Sequence, residues 1–180
     1  MFIILFILLI IVVVVTIIIF YLLFIGMLFY VPWVPLSQKE VERILSLAEI
    51  QPNDVLYDLG SGDGRIIIKA AQKYKIKKAV GIEIAWPLVL WSKLKVKLAG
   101  LGAPVQVKCG NLYKADISEA TIVVLFLMPE AIEKLIPKLK KELRPGTKII
   151  SAVFKINNWP ALKIDRPRAK DKPIYLHTKI

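Results

Sequence analysis

The hydrophobic pattern divides the chain into two unequal parts. From Phe2 to Tyr30 every position is apolar or aromatic except Thr16 and Gly26, and none is charged. Roughly 20 such residues at 1.5 Å each span a bilayer as a helix. The run is longer, so it spans with tilt or ends in the interface. A small domain has no interior that could hide a rod apolar on every side. A cleaved signal peptide fits poorly, because no basic region precedes the run and no clear cleavage site follows it. Tyr30 and Trp33 read as an aromatic belt, and Pro32 and Pro35 as the end of the helix.

After the run the pattern changes to short alternating elements. Ser37 and Glu40 form a Ser-x-x-Glu capping box, and Val41, Ile44, Leu45 and Ala48 recur at helical spacing, predicting a helix to about Ala48. A strand follows at Val55–Leu59, a helix from Arg65 to about Tyr74, and a strand at Ala79–Glu83. Pro87 sits in the first turn of a helix reaching about Leu98. Val105–Lys108 reads as a third strand. Thr121–Leu127 is a continuous apolar run, as in a central parallel strand covered on both faces. Glu130–Leu143 is helical, with Pro137 expected to kink or split it. Arg144-Pro145-Gly146 is a turn before a strand at Lys148–Phe154. Ile174–Lys179 closes the chain, paired with a strand near Ala161–Asp165. Strands alternating with helices give an α/β fold with a doubly wound, mostly parallel sheet. The expected organisation is an anchor at 1–30, a linker at 31–36 and one domain at 37–180.

Charge adds an orientation. All 26 Lys and Arg lie beyond the apolar run, so the positive-inside rule puts the domain in the cytoplasm on a single-pass anchor. The net charge of +12 has two readings: a basic surface lying against anionic lipid, or a nucleic-acid-binding surface. The spread of the basic residues, without aromatic interleaving, favours lipid over nucleic acid. The single cysteine, Cys109, excludes an internal disulfide, and no Cys/His cluster suggests a metal.

The densest chemistry is Asp58-Leu59-Gly60-Ser61-Gly62-Asp63-Gly64-Arg65, at the end of the first domain strand, with Glu83 ending the second. Such a strand, glycine turn, helix and acid-terminated strand hold an adenosine-bearing cofactor in a doubly wound sheet. The glycines alternate, so Arg65 stands where a dinucleotide fingerprint needs its third glycine, and no Gly-Lys-Ser/Thr phosphate loop is present. The pattern resembles motif I of the class I S-adenosylmethionine (AdoMet) methyltransferases, a Rossmann-like family.

That resemblance implies AdoMet as cofactor, held by Asp58, Gly60, Ser61, Gly62, Asp63 and Gly64. Glu83 would accept both ribose hydroxyls, and Asn111 with Leu112 would meet the adenine. Asn111 also reads as a turn residue after Gly110. The fourth strand ends in Phe126-Leu127-Met128-Pro129-Glu130. Amino-group methyltransferases often carry Asn/Asp-Pro-Pro-aromatic there; this chain keeps only Pro129, and no ring follows to stack on a flipped base. Pro129 and Glu130 are the candidates for positioning an amine, Glu130 reading equally as an acid in a first helical turn. Trp86 and Trp159 either line an acceptor channel or pack in the core.

Taken whole, the chain from Tyr30-Val31-Pro32 to Trp159-Pro160 resembles the small, membrane-anchored protein-lysine methyltransferases that act on the c-ring of ATP synthase and on the adenine nucleotide translocase. Besides the glycine core, the resemblance rests on Val80-Gly81-Ile82-Glu83, Trp86-Pro87-Leu88-Val89, Asn111-Leu112-Tyr113, Phe126 to Glu130, and Phe154. It implies N-methylation of a lysine in a membrane or membrane-proximal protein. Other readings remain open: a lipid head-group amine, a lipophilic small molecule or RNA as acceptor, or a non-catalytic AdoMet-binding adaptor.

Overall fold

A computed structural model of the chain describes residues 2–29 and 33–180. The first element, α1 (Phe2–Phe29), is one uninterrupted helix of 28 residues, long and apolar enough to cross a membrane. The expectations for Tyr30, Val31 and Pro32 lie outside the described residues.

The remaining elements are α2 (Gln38–Leu47), β1 (Val55–Leu59), α3 (Arg65–Tyr74), β2 (Lys78–Glu83), α4 (Trp86–Leu98), β3 (Val105–Cys109), β4 (Ile122–Leu125), α5 (Pro129–Glu142), β5 (Lys148–Ala152), β6 (Lys163–Asp165) and β7 (Ile174–Thr178). The capping box that starts α2 is formed in both directions: the Glu40 N–H donates to Ser37 Oγ, and the Ser37 N–H donates to Glu40 Oε2. One sheet holds all seven strands in the order β3-β2-β1-β4-β5-β7-β6. The first five are parallel; β7 runs antiparallel to both β5 and β6. The chain moves outward from β1 to β2 and β3, then returns to β4 on the other side. The switch point is therefore between β1 and β4, where such sheets bind ligands at the carboxyl ends of their strands.

Alternation along the strands sorts the core into two layers. Leu56, Ala79, Val124 and Ile150 face α2, α3 and α4. Tyr57, Leu59, Val80, Ile82, Val123, Leu125 and Ile149 face α5. Leu36, expected in the linker, is buried in the first layer, so the domain begins before residue 37.

Two strand ends and one helix depart most from expectation. The fourth and fifth strands leave the sheet at Leu125 and Ala152, two residues earlier than the apolar runs suggest. Pro137 lies inside α5 without splitting it. Its ring removes one N–H from the helix ladder, but Leu135 and Leu139 on either side are fully buried and hold the helix against the sheet.

Candidate active site

The turn after β1 is built on glycine because its backbone needs it. Gly60, Gly62 and Gly64 have φ of 86°, 54° and 77°, a region costly for any residue with a Cβ. Space is a second reason at Gly64, where a Cβ would stand 2.1 Å from Ser92 Oγ on α4. The turn is tied down on both sides. Gly60 and Ser61 donate to the Ile82 carbonyl at 2.9 and 3.0 Å. The Gly62 N–H donates to Glu83 Oε2 at 2.8 Å, while Glu83 Oε1 accepts from the Ala85 N–H at 2.8 Å. Glu83 thus locks the loop from β2 and is itself buried, with lone pairs left on each oxygen.

Asp58 and Asp63 behave differently. Asp63 receives two bonds from Arg65, at 2.8 and 2.9 Å, and one from Lys95 Nζ at 2.9 Å. These cations hold its carboxyl below the usual range against the opposing effect of burial, the larger of the individual influences. Three of its roughly four acceptor positions brace the loop to α3 and α4, leaving one on Oδ1. Asp58 has no hydrogen-bond partner among the described residues. Burial first, then the negative charges of Glu83 and Asp63, pushes its carboxyl up to about 8. A buried, unpaired acid at a strand's carboxyl end is a group prepared for a ligand. Ser61 Oγ, also buried and unpartnered, lies beside it in the same turn.

The segment after α1 forms a roof over this turn. A Cβ on Gly62 would stand 2.9 Å from the Trp33 ring, and Arg65 donates to the Leu36 carbonyl. Between roof and loop a cavity of about 30 Å³ remains, lined by Trp33 to Leu36, Asp58, Gly60 to Asp63, Arg65, Ile66 and Phe126. That is room for roughly one water molecule. The turn's φ angles, its orphaned Ser61 hydroxyl, unpaired Asp58 and Glu83 suit AdoMet chemically.

At the carboxyl ends of β4 and β5 the character reverses. An apolar cavity of about 200 Å³ is lined by Val34, Phe126, Leu127, Met128, Val153 and Phe154, with Lys172 at its edge. Val34 and Phe126 also line the cavity over the glycine turn, so the two spaces adjoin. Val153, a β-branched residue, has φ of 72°, and the Phe154 N–H donates back to the Ala152 carbonyl at 2.9 Å. This is the rare, strained form of γ-turn. Two further bonds impose it: Val153 N–H to the Pro173 carbonyl at 2.8 Å and Ser151 Oγ to the Phe154 carbonyl at 2.6 Å. Strain of this kind persists only where surrounding structure over-determines it.

The other expected residues fall as follows. Asn111 Oδ1 accepts from the Tyr113 N–H at 2.9 Å, so the turn reading describes it, with one lone pair remaining. Leu112 is buried beside it. Pro129 opens α5, Glu130 is exposed in its first turn, and neither lines the apolar cavity. The Met128 carbonyl already accepts from Ala131 and Ile132, as an N-cap carbonyl should. Trp86 is exposed at the start of α4, close behind Glu83. For Trp159 the packing reading describes the structure. Its indole donates to the Thr178 carbonyl at 3.0 Å, and Thr178 lies opposite Lys148, the first residue of β5. It therefore stands at the amino ends of the parallel strands, on the far side of the sheet from the glycine turn, and packs in the core. The walls that sequence reading missed are Phe126, Val153, Phe154 and Val34. For Phe126, Val153 and Phe154 the signal was present as apolar runs longer than the strands they end.

Comparison with known proteins agrees with this geometry. Residues 58–163 match the family described as ANTKMT methyltransferase domain. A "Protein-lysine N-methyltransferase" of Saccharolobus islandicus is 44% identical over 130 residues, covering 72% of this chain and 81% of that protein. The mouse "Adenine nucleotide translocase lysine N-methyltransferase" is 34% identical over 74% of this chain. A human lysine N-methyltransferase named for the c-type component of ATP synthase is 32% identical over 72% of it. The chain spans 58% and 54% of those two proteins. Among solved structures, one described as an RNA methyltransferase from Salinibacter ruber in complex with S-adenosyl-L-homocysteine superposes with a TM-score of 0.77. Its identity is 41%, over 81% of this chain and 93% of that one.

Proposed function

The chain belongs to the ANTKMT family of AdoMet-dependent methyltransferases, and from that premise we propose that it N-methylates a lysine of a membrane or membrane-proximal protein. In this reading α1 is a single-pass anchor with the domain on the cytoplasmic side. The observation that carries the acceptor chemistry is the apolar cavity walled by Phe126 and Phe154 beside the glycine turn.

Bound AdoMet supplies a methyl group on a cationic sulfonium. The chain's residues do the rest. Glu83, oriented by its two backbone donors, accepts the ribose hydroxyls. The Gly60–Gly64 turn lets the main chain approach the cofactor closely, and Asp58 offers a carboxyl beside it. Asn111 uses its remaining lone pair toward the adenine amino group, with Leu112 against the ring. A free lysine ammonium has a pKa of about 10.4. Phe126, Val153 and Phe154 exclude water and so disfavour the charged form, so the ammonium gives its proton to bulk water as the side chain enters and the neutral amine arrives without a strong base. Phe126 and Leu127 line the cavity, and their backbone carbonyls would orient that amine for in-line attack. Glu130, at the surface, draws in the incoming cation.

RNA is the second reading, favoured by the net charge of +12 and the description of the Salinibacter ruber structure. Against it stands Glu130, where a base-stacking ring is needed. The deciding experiment is transfer of labelled methyl from AdoMet into membranes and cytosol of a strain lacking this gene, separated into protein, lipid and RNA. Label on a protein lysine, lost with Glu83→Ala, is the expected result. Label confined to lipid or RNA would replace the proposal.

A further inference from the structure

Helix α4 is unlike the other helices of the domain. Its inner face, Leu88, Val89, Ser92 and Val96, is buried against the sheet. Its outer face carries Trp86, Leu90, Trp91, Leu94 and Leu98, each between 45% and 77% exposed. These are five of the eleven large exposed apolar side chains described outside α1, so the concentration is not chance scatter. By contrast α5 buries Ala131, Ile132, Leu135 and Leu139 and turns Glu130, Glu133, Lys134, Lys140 and Lys141 outward. A helix apolar on both faces is normally covered on both.

Two observations identify what covers α4. The first is charge: α4 contains Lys93, Lys95 and Lys97 and no acid. Lys95 braces Asp63, while Lys93 and Lys97 are exposed along one edge of the apolar stripe. Tryptophans and leucines bordered by lysines form the pattern of a helix lying in a membrane interface, where rings sit at headgroup depth and lysines reach anionic lipid. The second is continuity. The chain leaving the apolar α1 enters the domain at Trp33, against Gly62, and the same glycine turn rests on α4 at Ser92. The anchor thus joins the domain one packed layer from α4.

We infer that α4 is a second membrane contact: its Trp86–Leu98 face docks into the headgroup region of an anionic bilayer. The inference rests on α1 being a membrane anchor. Docking fixes the domain's tilt and brings the carboxyl end of β2, where Glu83 and Trp86 lie, toward the membrane surface. The acceptors favoured are then lysines close to the interface rather than lysines on distant soluble domains.

The test uses the full chain in phosphatidylcholine vesicles with and without phosphatidylglycerol. In a Cys109→Ser background, an environment-sensitive fluorophore is placed at Leu94→Cys, and at Lys141→Cys on α5 as reference. Leu98→Cys, at the most exposed end of the stripe, is the second reporter should Leu94→Cys misfold, and AdoMet binding checks each variant. Quenching by lipid carrying a nitroxide on its acyl chain is compared with quenching by aqueous iodide. The expected ratio of lipid to iodide quenching is several-fold higher at 94 or 98 than at 141, and larger with phosphatidylglycerol. Iodide quenching at 94 and 98 equal to that at 141 would overturn the inference, as would protection from both quenchers, which means cover by protein. Alkaline carbonate extraction reports on α1 separately. Release of the chain would overturn the anchor reading, while retention with α4 in water would overturn only the docking of α4.

Discussion

The two ends of the switch point differ in how they are made. At β1 and β2 the site is polar and locked: three glycines at positive φ, Glu83 holding two backbone amides, and Asp63 clamped by Arg65 and Lys95. At β4 and β5 it is apolar, held in shape by one strained γ-turn at Val153. The lesson is a division of labour. On the proposed function, the first end would orient a polar cofactor through fixed donors and acceptors, and the second would remove water from an amine that must lose its proton.

The largest effect expected on this contrast comes from Glu83→Ala. It removes the ribose acceptor and also frees the Gly62 and Ala85 amides, so AdoMet affinity should fall by about 3 kcal/mol, roughly a hundredfold. Calorimetry checks this, and unchanged affinity would remove Glu83 from the cofactor site. Next is Gly64→Ala, which adds a Cβ into Ser92 Oγ at a φ of 77°. A loss of about 2–3 kcal/mol in urea unfolding is expected, combining backbone strain and overpacking. Adding Ser92→Gly should return only the overpacking part.

Asp58 gives a pH signature. Its carboxyl is raised from 3.8 to about 8 in the folded chain, so between those values the native state keeps a proton that the unfolded state has lost. Stability is therefore fully present below about pH 4 and declines as pH rises through about 8. Asp58→Asn should flatten that decline, gaining on the order of 2 kcal/mol near pH 9 in denaturation of the cofactor-free protein. A parallel pH profile in the variant would show that Asp58 is not the group responsible. The smallest effect expected is at the other end. Val153→Gly should relieve the left-handed strain and raise stability by about 1 kcal/mol, while slowing methyl transfer because Phe154 is no longer held. Faster or unchanged transfer would mean that the strain serves no purpose in the site.

The same contrast explains what sequence reading could reach. The glycine turn was legible because positive φ demands glycine and the demand leaves a spacing. The parallel core was legible from alternation and apolar runs. The acceptor end was not, because Phe126-Leu127 and Val153-Phe154 continue the apolar pattern of β4 and β5 after leaving the sheet. An apolar residue in a strand and one walling a cavity look identical in one dimension. Trp159 kept two readings for a related reason: composition names a ring but not the end of the sheet it reaches, which the antiparallel return of β7 decides. Asp63 sat inside the motif, yet its carboxylate is committed to Lys95, 32 positions away, a pairing that no local pattern announces.

The division of labour is tested most directly by measuring AdoMet affinity and single-turnover methyl transfer at saturating AdoMet in Glu83→Ala and Phe154→Ala. The expected result is crossed: Glu83→Ala binds weakly but transfers at near the normal rate once saturated, and Phe154→Ala binds normally but transfers about tenfold more slowly. If each variant loses affinity and rate together, the two ends act as one site and no such division exists.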